Sequence, residues 1–172
     1  MSNKNRLRDI KCPLFSIILP VFQNQDTLNQ SIDSVLRQQE QNYEIILVDD
    51  GSTDESRKIC DDYANRYSLS ISVIHKRNEG PLLARIEGIQ RAHGEYLLFL
   101  DADDTYVPGI LRKLENAIEK QKADVIIFNY YRCYKSGKTE LNKPLYTSDQ
   151  VFEGKGKQKL YEELITGFQL NT

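Results

Sequence analysis

The sequence predicts an α/β protein with a mainly parallel sheet covered by helices on both faces. Short apolar runs rich in branched residues alternate with stretches whose apolar residues recur at helical spacing. The runs are nearly continuous, as strands buried on both sides require. A polar cluster follows three of them. The 172 residues suit one domain, and 23 Lys+Arg against 25 Asp+Glu give a net charge of −2, no footprint for nucleic-acid binding. The apolar runs fall far short of the ~20 residues that span a bilayer.

Lys4, Arg6, Arg8 and Lys11 before the apolar residues 13–22 imitate a secretory leader. Pro20 interrupts that stretch, however, and Gln23-Asn24-Gln25 stand where a cleavage site needs small residues. Phe15–Val21 therefore reads as a first strand. Leu28, Ile32, Val35 and Leu36 lie on one helical face, and 44–48 is a second strand. Ser52 and Glu55 have capping-box spacing and are expected to open a helix whose Ile59, Tyr63 and Tyr67 share a face. Ile71–His75 is a third strand. Leu82, Ile86 and Ile89 mark the apolar face of a third helix, with Gly94 expected to stop it in a left-handed conformation. Residues 95–100 form a fourth strand. Pro108 fits the first turn of a helix carrying Leu111, Leu114 and Ile118, and 124–129 reads as a fifth strand. Beyond Tyr130 the pattern decays: Gly137 suggests a hairpin or irregular loop, and 159–167 a helix.

Cys12, Cys60 and Cys133 are scattered and form no Cys-x-x-Cys pair, which suggests a reducing, cytoplasmic setting. With only His75 and His93 as imidazoles, a zinc site is disfavoured, and both histidines read as bland.

The chemistry is expected where clusters follow strands: 20–24, 49–54 and 101–104. Ligands of open α/β sheets bind beyond the carboxyl ends of strands, at a reversal of strand order. In Asp101-Ala102-Asp103, extended backbone would turn both carboxylates one way. Two are too few to cage calcium but suit Mg²⁺ or Mn²⁺ with water and diphosphate oxygens; a helix-capping turn is the plainer alternative. Asp49-Asp50-Gly51-Ser52 suits a ribose or base contact, a tight turn, or both. Neither Gly-x-Gly-x-x-Gly nor a P-loop occurs. Arg85, after Asn78-Glu79-Gly80, can reach a base or phosphate or be an ordinary solvated arginine.

The blocks Phe-Ser-Ile-Ile-Leu-Pro-Val-Phe (15–22), Ile-Ile-Leu-Val-Asp-Asp-Gly-Ser-Thr-Asp (45–54), 78–88 and Tyr-Leu-Leu-Phe-Leu-Asp-Ala-Asp-Asp (96–104) resemble, in order and spacing, the family 2 glycosyltransferases. The resemblance covers 15–129. It implies a GT-A (Rossmann-like) fold, a nucleotide-diphospho-sugar donor, most simply a UDP-sugar, and Mg²⁺ or Mn²⁺. Carried over, Pro20 and Phe22 line the base pocket, Asp50 hydrogen-bonds the base, and Asp49 shapes the turn. Arg85 contacts base or diphosphate, Asp101 binds near ribose and metal, and Asp103 is the main metal ligand. The chain departs from the family in having Phe22-Gln23 for Tyr-Asn, Ile86-Glu87-Gly88 after Ala84-Arg85, and Pro81 at the helix start.

The implied organisation is an extension over 1–12, a donor-binding core over 13–130, and over 131–172 the truncated start of an acceptor-side region. The catalytic base is expected beyond Thr172, so the isolated chain is expected to bind donor without transferring sugar. The implied reaction is inverting transfer to an acceptor hydroxyl, on a saccharide or lipid-linked acceptor, in polysaccharide or glycoconjugate synthesis. Peripheral association of the full-length protein with the inner membrane face is left open. The alternative is a non-catalytic nucleotide-sugar-binding module. A sugar nucleotidyltransferase is disfavoured, because no Gly-rich basic loop follows the first strand.

Overall fold

The computed structural model describes residues 12–134 and 136–142. They belong to two compact units, the first running to Lys113 and the second starting at Leu114.

In the first unit, β1 (Phe15–Val21), β2 (Tyr43–Asp49), β3 (Ile71–His75) and β4 (Tyr96–Phe99) form a parallel sheet in the order β3-β2-β1-β4. Ile17 of β1 stands beside Ile45 of β2 and Leu98 of β4. Ile17, Ile18, Leu19, Ile45, Ile46, Leu47 and Val48 are all fully buried, so both faces are covered. Successive side chains point to opposite faces. Ile18, Ile46 and Val48 pack with Ala84 of α3 (Pro81–Arg91). On the other face, Tyr43 donates its hydroxyl proton to the Val35 carbonyl of α1 (Leu28–Leu36), and Asp49 reaches α2 (Ser56–Arg66) through His75.

Several details differ from the sequence expectation. The predicted capping box does not form. Glu55 is the N-cap of α2 and makes no side-chain cap bond, Asp54 Oδ1 accepts the Ser56 N–H, and Ser52 Oγ accepts the N–H of Gln23. A tertiary partner has taken the hydroxyl that local spacing assigned to the helix. Helix α3 does not bury Leu82, Ile86 and Ile89, which are 69%, 40% and 41% exposed; it buries Ala84 and Gly88. A Cβ on Gly88 would meet Ile18 Cγ2 at 2.5 Å, so the helix lies too close to the sheet for larger residues on that side. Gly94 is not a left-handed cap: α3 ends at Arg91 with Ala92 extended. Gly94 is needed for space, because a Cβ there would lie 2.5 Å from the Ser16 nitrogen.

Helix α4 (Ile110–Gln121) begins two residues after Pro108, which stands in the preceding turn and not in the first helical turn. Residues 125–130 carry no strand, so the expected fifth strand over 124–129 is absent. The hairpin comes instead from β5 (Tyr131–Cys133) and β6 (Thr139–Leu141), turning through Gly137 at φ 81°. The region 159–167 lies outside the described residues. Among the described residues, no helix is long and apolar enough to cross a membrane.

Candidate functional site

Strand order reverses between β1 and β4, since β2 and β3 extend the sheet on one side of β1 and β4 pairs on the other. The loops leaving these strands meet at their carboxyl ends. The Asp50 N–H donates to the Val21 carbonyl at 2.8 Å, joining the ends of β2 and β1. Pro20 lies within β1, half-buried beside Val48, and Phe22 follows the strand with 46% of its surface exposed. An aromatic ring this exposed, in a loop otherwise polar, offers a stacking face.

Gln23 secures that loop. Its backbone is left-handed, with φ 57°, and its side chain spans the gap to the 52–54 segment. Oε1 accepts the N–H groups of Thr53 and Asp54, and Nε2 donates to Thr53 Oγ1 at 2.9 Å. These bonds offset an unfavourable conformation.

Asp49 and Asp50 are both buried, at 0% and 3% exposure. Asp49 Oδ1 accepts the Ser52 N–H at 2.9 Å, closing the turn over Gly51. Gly51 has φ +78°, and a Cβ there would lie 2.8 Å from the Asn78 nitrogen, so the turn abuts the 76–78 segment. Asp50 accepts from Lys76 Nζ at 2.9 Å and from the N–H groups of Glu79 and Gly80 at 3.0 and 2.8 Å. Burial pushes its carboxyl up, but these hydrogen bonds outweigh it and hold the pKa below the ordinary range. The carboxylate thus fixes the entry of α3, where Gly80 (φ 92°) precedes Pro81 at the first turn. One turn into that helix, Arg85 reaches across and pairs with Asp101 Oδ1.

The 101–104 segment is a turn, not extended chain, with the Asp104 N–H donating to the Asp101 carbonyl at 2.9 Å. Asp101 and Asp103 are both exposed on either side of buried Ala102. What holds this turn and the residues after it is a polar stripe along α1 and its two flanks that sequence reasoning missed. Thr27 and Ser31 hydroxyls donate to the Ala102 carbonyl at 2.8 and 2.9 Å. Ser34 Oγ accepts the Tyr106 N–H, and Gln38 bridges the Val107 carbonyl and the Gly109 N–H. The signal was present as polar residues at helical spacing, but nothing local distinguishes such a stripe from a solvated face. His75 was also undervalued: it stands between Asp49 and Asp61.

Among the described residues, no group of three or more His, Cys, Asp or Glu side chains is arranged to hold an ion. Asp101 and Asp103 place two exposed carboxylates, hard oxygen donors, on one turn. Burial, and after it the charges of Asp103 and Asp101, push the Asp104 carboxyl above its ordinary range. Asp101 and Asp103 are the residues that would hold a divalent ion here, with water and a ligand supplying the rest of its shell.

The fold and the loops define a class: an open parallel α/β protein with an acidic, aromatic-edged candidate site at its strand-order reversal. The chain belongs to glycosyl transferase family 2, whose model matches residues 16–169. It is 38% identical to the glycosyltransferase GlyG of Streptococcus pneumoniae serotype 4, over 69% of this chain and 39% of GlyG. To EpsJ of Bacillus subtilis, an uncharacterized glycosyltransferase, it is 39% identical over 70% of this chain and 35% of EpsJ. The chain thus spans well under two thirds of the length of these curated relatives. Among solved structures it is similar to S. aureus TarS 1–349 in complex with UDP-GlcNAc, with TM-score 0.60, 29% identity, and coverage of 64% of this chain and 32% of that one. The fold is thus of the GT-A type.

Proposed function

We propose that the chain is the donor-binding part of a metal-dependent, inverting glycosyltransferase. The donor is a nucleotide-diphospho-sugar, a UDP-sugar in the first instance, and the acceptor a hydroxyl of a saccharide or lipid-linked carrier in polysaccharide or glycoconjugate synthesis. Residues 13–130 are read as the donor core and 131–172 as the beginning of the acceptor side. One observation carries the reading: the loops after β1, β2 and β4 and the entry of α3 are hydrogen-bonded to one another at the carboxyl ends of the sheet, on the strand-order reversal. TarS, solved with UDP-GlcNAc, supports the choice of donor class.

In this reading Phe22 stacks on the base against Pro20, a sequence-tolerant contact. Asp50 keeps one lone pair of Oδ2 for the base, since its other acceptor positions are engaged. Asp49 holds the turn. Arg85 exchanges Asp101 for the diphosphate, a bidentate anion that suits a guanidinium. Asp103 and Asp101 would hold Mg²⁺ or Mn²⁺, which when bound neutralises charge on the departing nucleoside diphosphate. No described residue is assigned as the general base.

The test is thermal unfolding with UDP, with Mn²⁺, and with both, on the native chain and Asp103→Asn. Binding to the folded state alone stabilises by about 2.7 kcal/mol at a hundredfold excess over Kd. The native chain should gain more from UDP and Mn²⁺ together than from the two separately added. Asp103→Asn should lose that surplus yet melt as the native chain does without ligand, because its side chain is solvated. UDP stabilisation indifferent to both metal and substitution overturns the metal assignment, and no stabilisation by UDP overturns the donor reading.

A further inference from the structure

We propose that His75 is a positioning residue of the donor site, holding Asp49 and through it the turn that carries Asp50; the inference rests on the reading that this turn meets the nucleotide. His75 ends β3 opposite Asp49 and stands between carboxylates of two elements. Its Nδ1 lies 2.8 Å from Asp49 Oδ2 and its Nε2 2.9 Å from Asp61 Oδ1 on α2. Asp49 is wholly buried, where an unpartnered carboxylate would be costly. A carboxylate only accepts hydrogen bonds, so the proton facing Asp49 belongs to Nδ1, whether the ring is neutral or charged. Asp61, with 48% of its side chain exposed, is the partner that can turn to water when the ring is neutral.

The neighbouring titratable groups leave this arrangement alone. The Cys60 thiol on α2 stays neutral, pushed up to about 12 by burial and then by the charges of Asp49, Asp61 and Asp54. Lys76 is engaged by Asp50 and Glu79. From His75 the bonds run onward. Asp49 Oδ1 accepts the Ser52 N–H, and Ser52 Oγ accepts the Gln23 N–H at 3.2 Å, next to Phe22. One imidazole thus sets the rotamer of a buried carboxylate, and that carboxylate sets the turn on which the β1 loop rests.

Two substitutions separate the ring nitrogens. Asn places an amide nitrogen where Nδ1 stands and Gln where Nε2 stands, so His75→Asn keeps the donor to Asp49 and His75→Gln only the donor to Asp61. Hydrogen exchange of the Ser52 amide, measured by NMR on the 172-residue chain without ligand, reads the Asp49 turn directly. Titration with UDP and Mn²⁺ reads its consequence for binding. His75→Asn should keep Ser52 protection and bind UDP within about twofold of the native chain, whereas His75→Gln should lose about tenfold in both, the size expected of one hydrogen bond to a charged group. Equal Ser52 protection in the two variants overturns the proposal, as does unchanged UDP affinity in a His75→Gln variant whose Ser52 protection has fallen. Should His75→Gln fail to fold, Asp61→Asn serves: it leaves the Nδ1 bond intact and should keep Ser52 protection, and loss of that protection overturns the proposal. A native chain that ignores UDP while Ser52 follows the expected pattern refutes the donor reading and upholds the hydrogen-bond chain.

Discussion

Arg85 of α3 is ion-paired with Asp101 at the end of β4, so the helix that packs on β1 and β2 also reaches the acidic turn beyond the sheet's edge strand. Both side chains are partly exposed, at 31% and 50%. Such a pair contributes only about 0–1 kcal/mol to stability. Arg85→Ala should therefore melt close to the native chain. It should bind UDP about tenfold more weakly, the loss expected when a charge-assisted bond to an anion goes. Calorimetric titration alongside a denaturant melt checks both halves.

The Ala102 carbonyl is shared by two hydroxyls, and this predicts non-additive mutants. Ser31→Ala or Thr27→Val alone leaves one donor in place and should cost about 1 kcal/mol. The double substitution leaves a buried carbonyl without a partner and should cost about 1–3 kcal/mol beyond the sum. Urea unfolding of the four chains measures the coupling, and additive costs would show that the carbonyl finds water instead.

Acid should weaken the fold through Asp50. Its folded-state pKa is depressed, so its contribution is complete above the unfolded value of about 3.9 and is lost as pH falls through the folded one. Glu44 and Asp54 are depressed in the same sense, each by hydrogen bonds that outweigh burial. Stability should thus fall steadily below about pH 4. Asp50→Asn should cost about 2 kcal/mol at neutral pH and flatten the acid limb, because the amide cannot match three donors. Chemical denaturation as a function of pH gives both quantities.

Gly94→Ala should be worse than Gly88→Ala. An added methyl at Gly94 meets the backbone of Ser16 and Phe15 at 2.5 and 2.7 Å, and it would part the Gly94 N–H from Ser16 Oγ. At Gly88 the methyl meets side-chain and not backbone atoms, those of Ile18 at 2.5 Å and Val48 at 3.3 Å, both buried in the core. Overpacking costs typically about 1–3 kcal/mol. A cost within that range is expected at Gly88, where side chains can give, and one at its upper end or beyond at Gly94, where backbone cannot, measured by thermal unfolding.

The sequence alone determined what depends on local pattern. Apolar continuity located β1 and β3 with the bounds the structure has, and 44–48 differs from β2 by one residue at each end, because each run is dominated by apolar, mostly branched residues and bounded by polar ones. It also placed the three polar clusters at strand ends, where an open parallel sheet keeps its ligand. Tertiary structure decided the rest. Leu82, Ile86 and Ile89 have the period of a buried helix face, but close approach to Ile18 and Val48 admits only Ala84 and Gly88, and no rule of periodicity expresses backbone proximity. Ser52 has the spacing of a cap and serves Gln23 instead, since a hydroxyl bonds whichever donor the fold brings nearest. His75 has no partner within reach along the chain. Its two carboxylates lie 26 and 14 residues away in sequence, and only the pairing of β3 with β2 and the docking of α2 bring them within 3 Å of one ring.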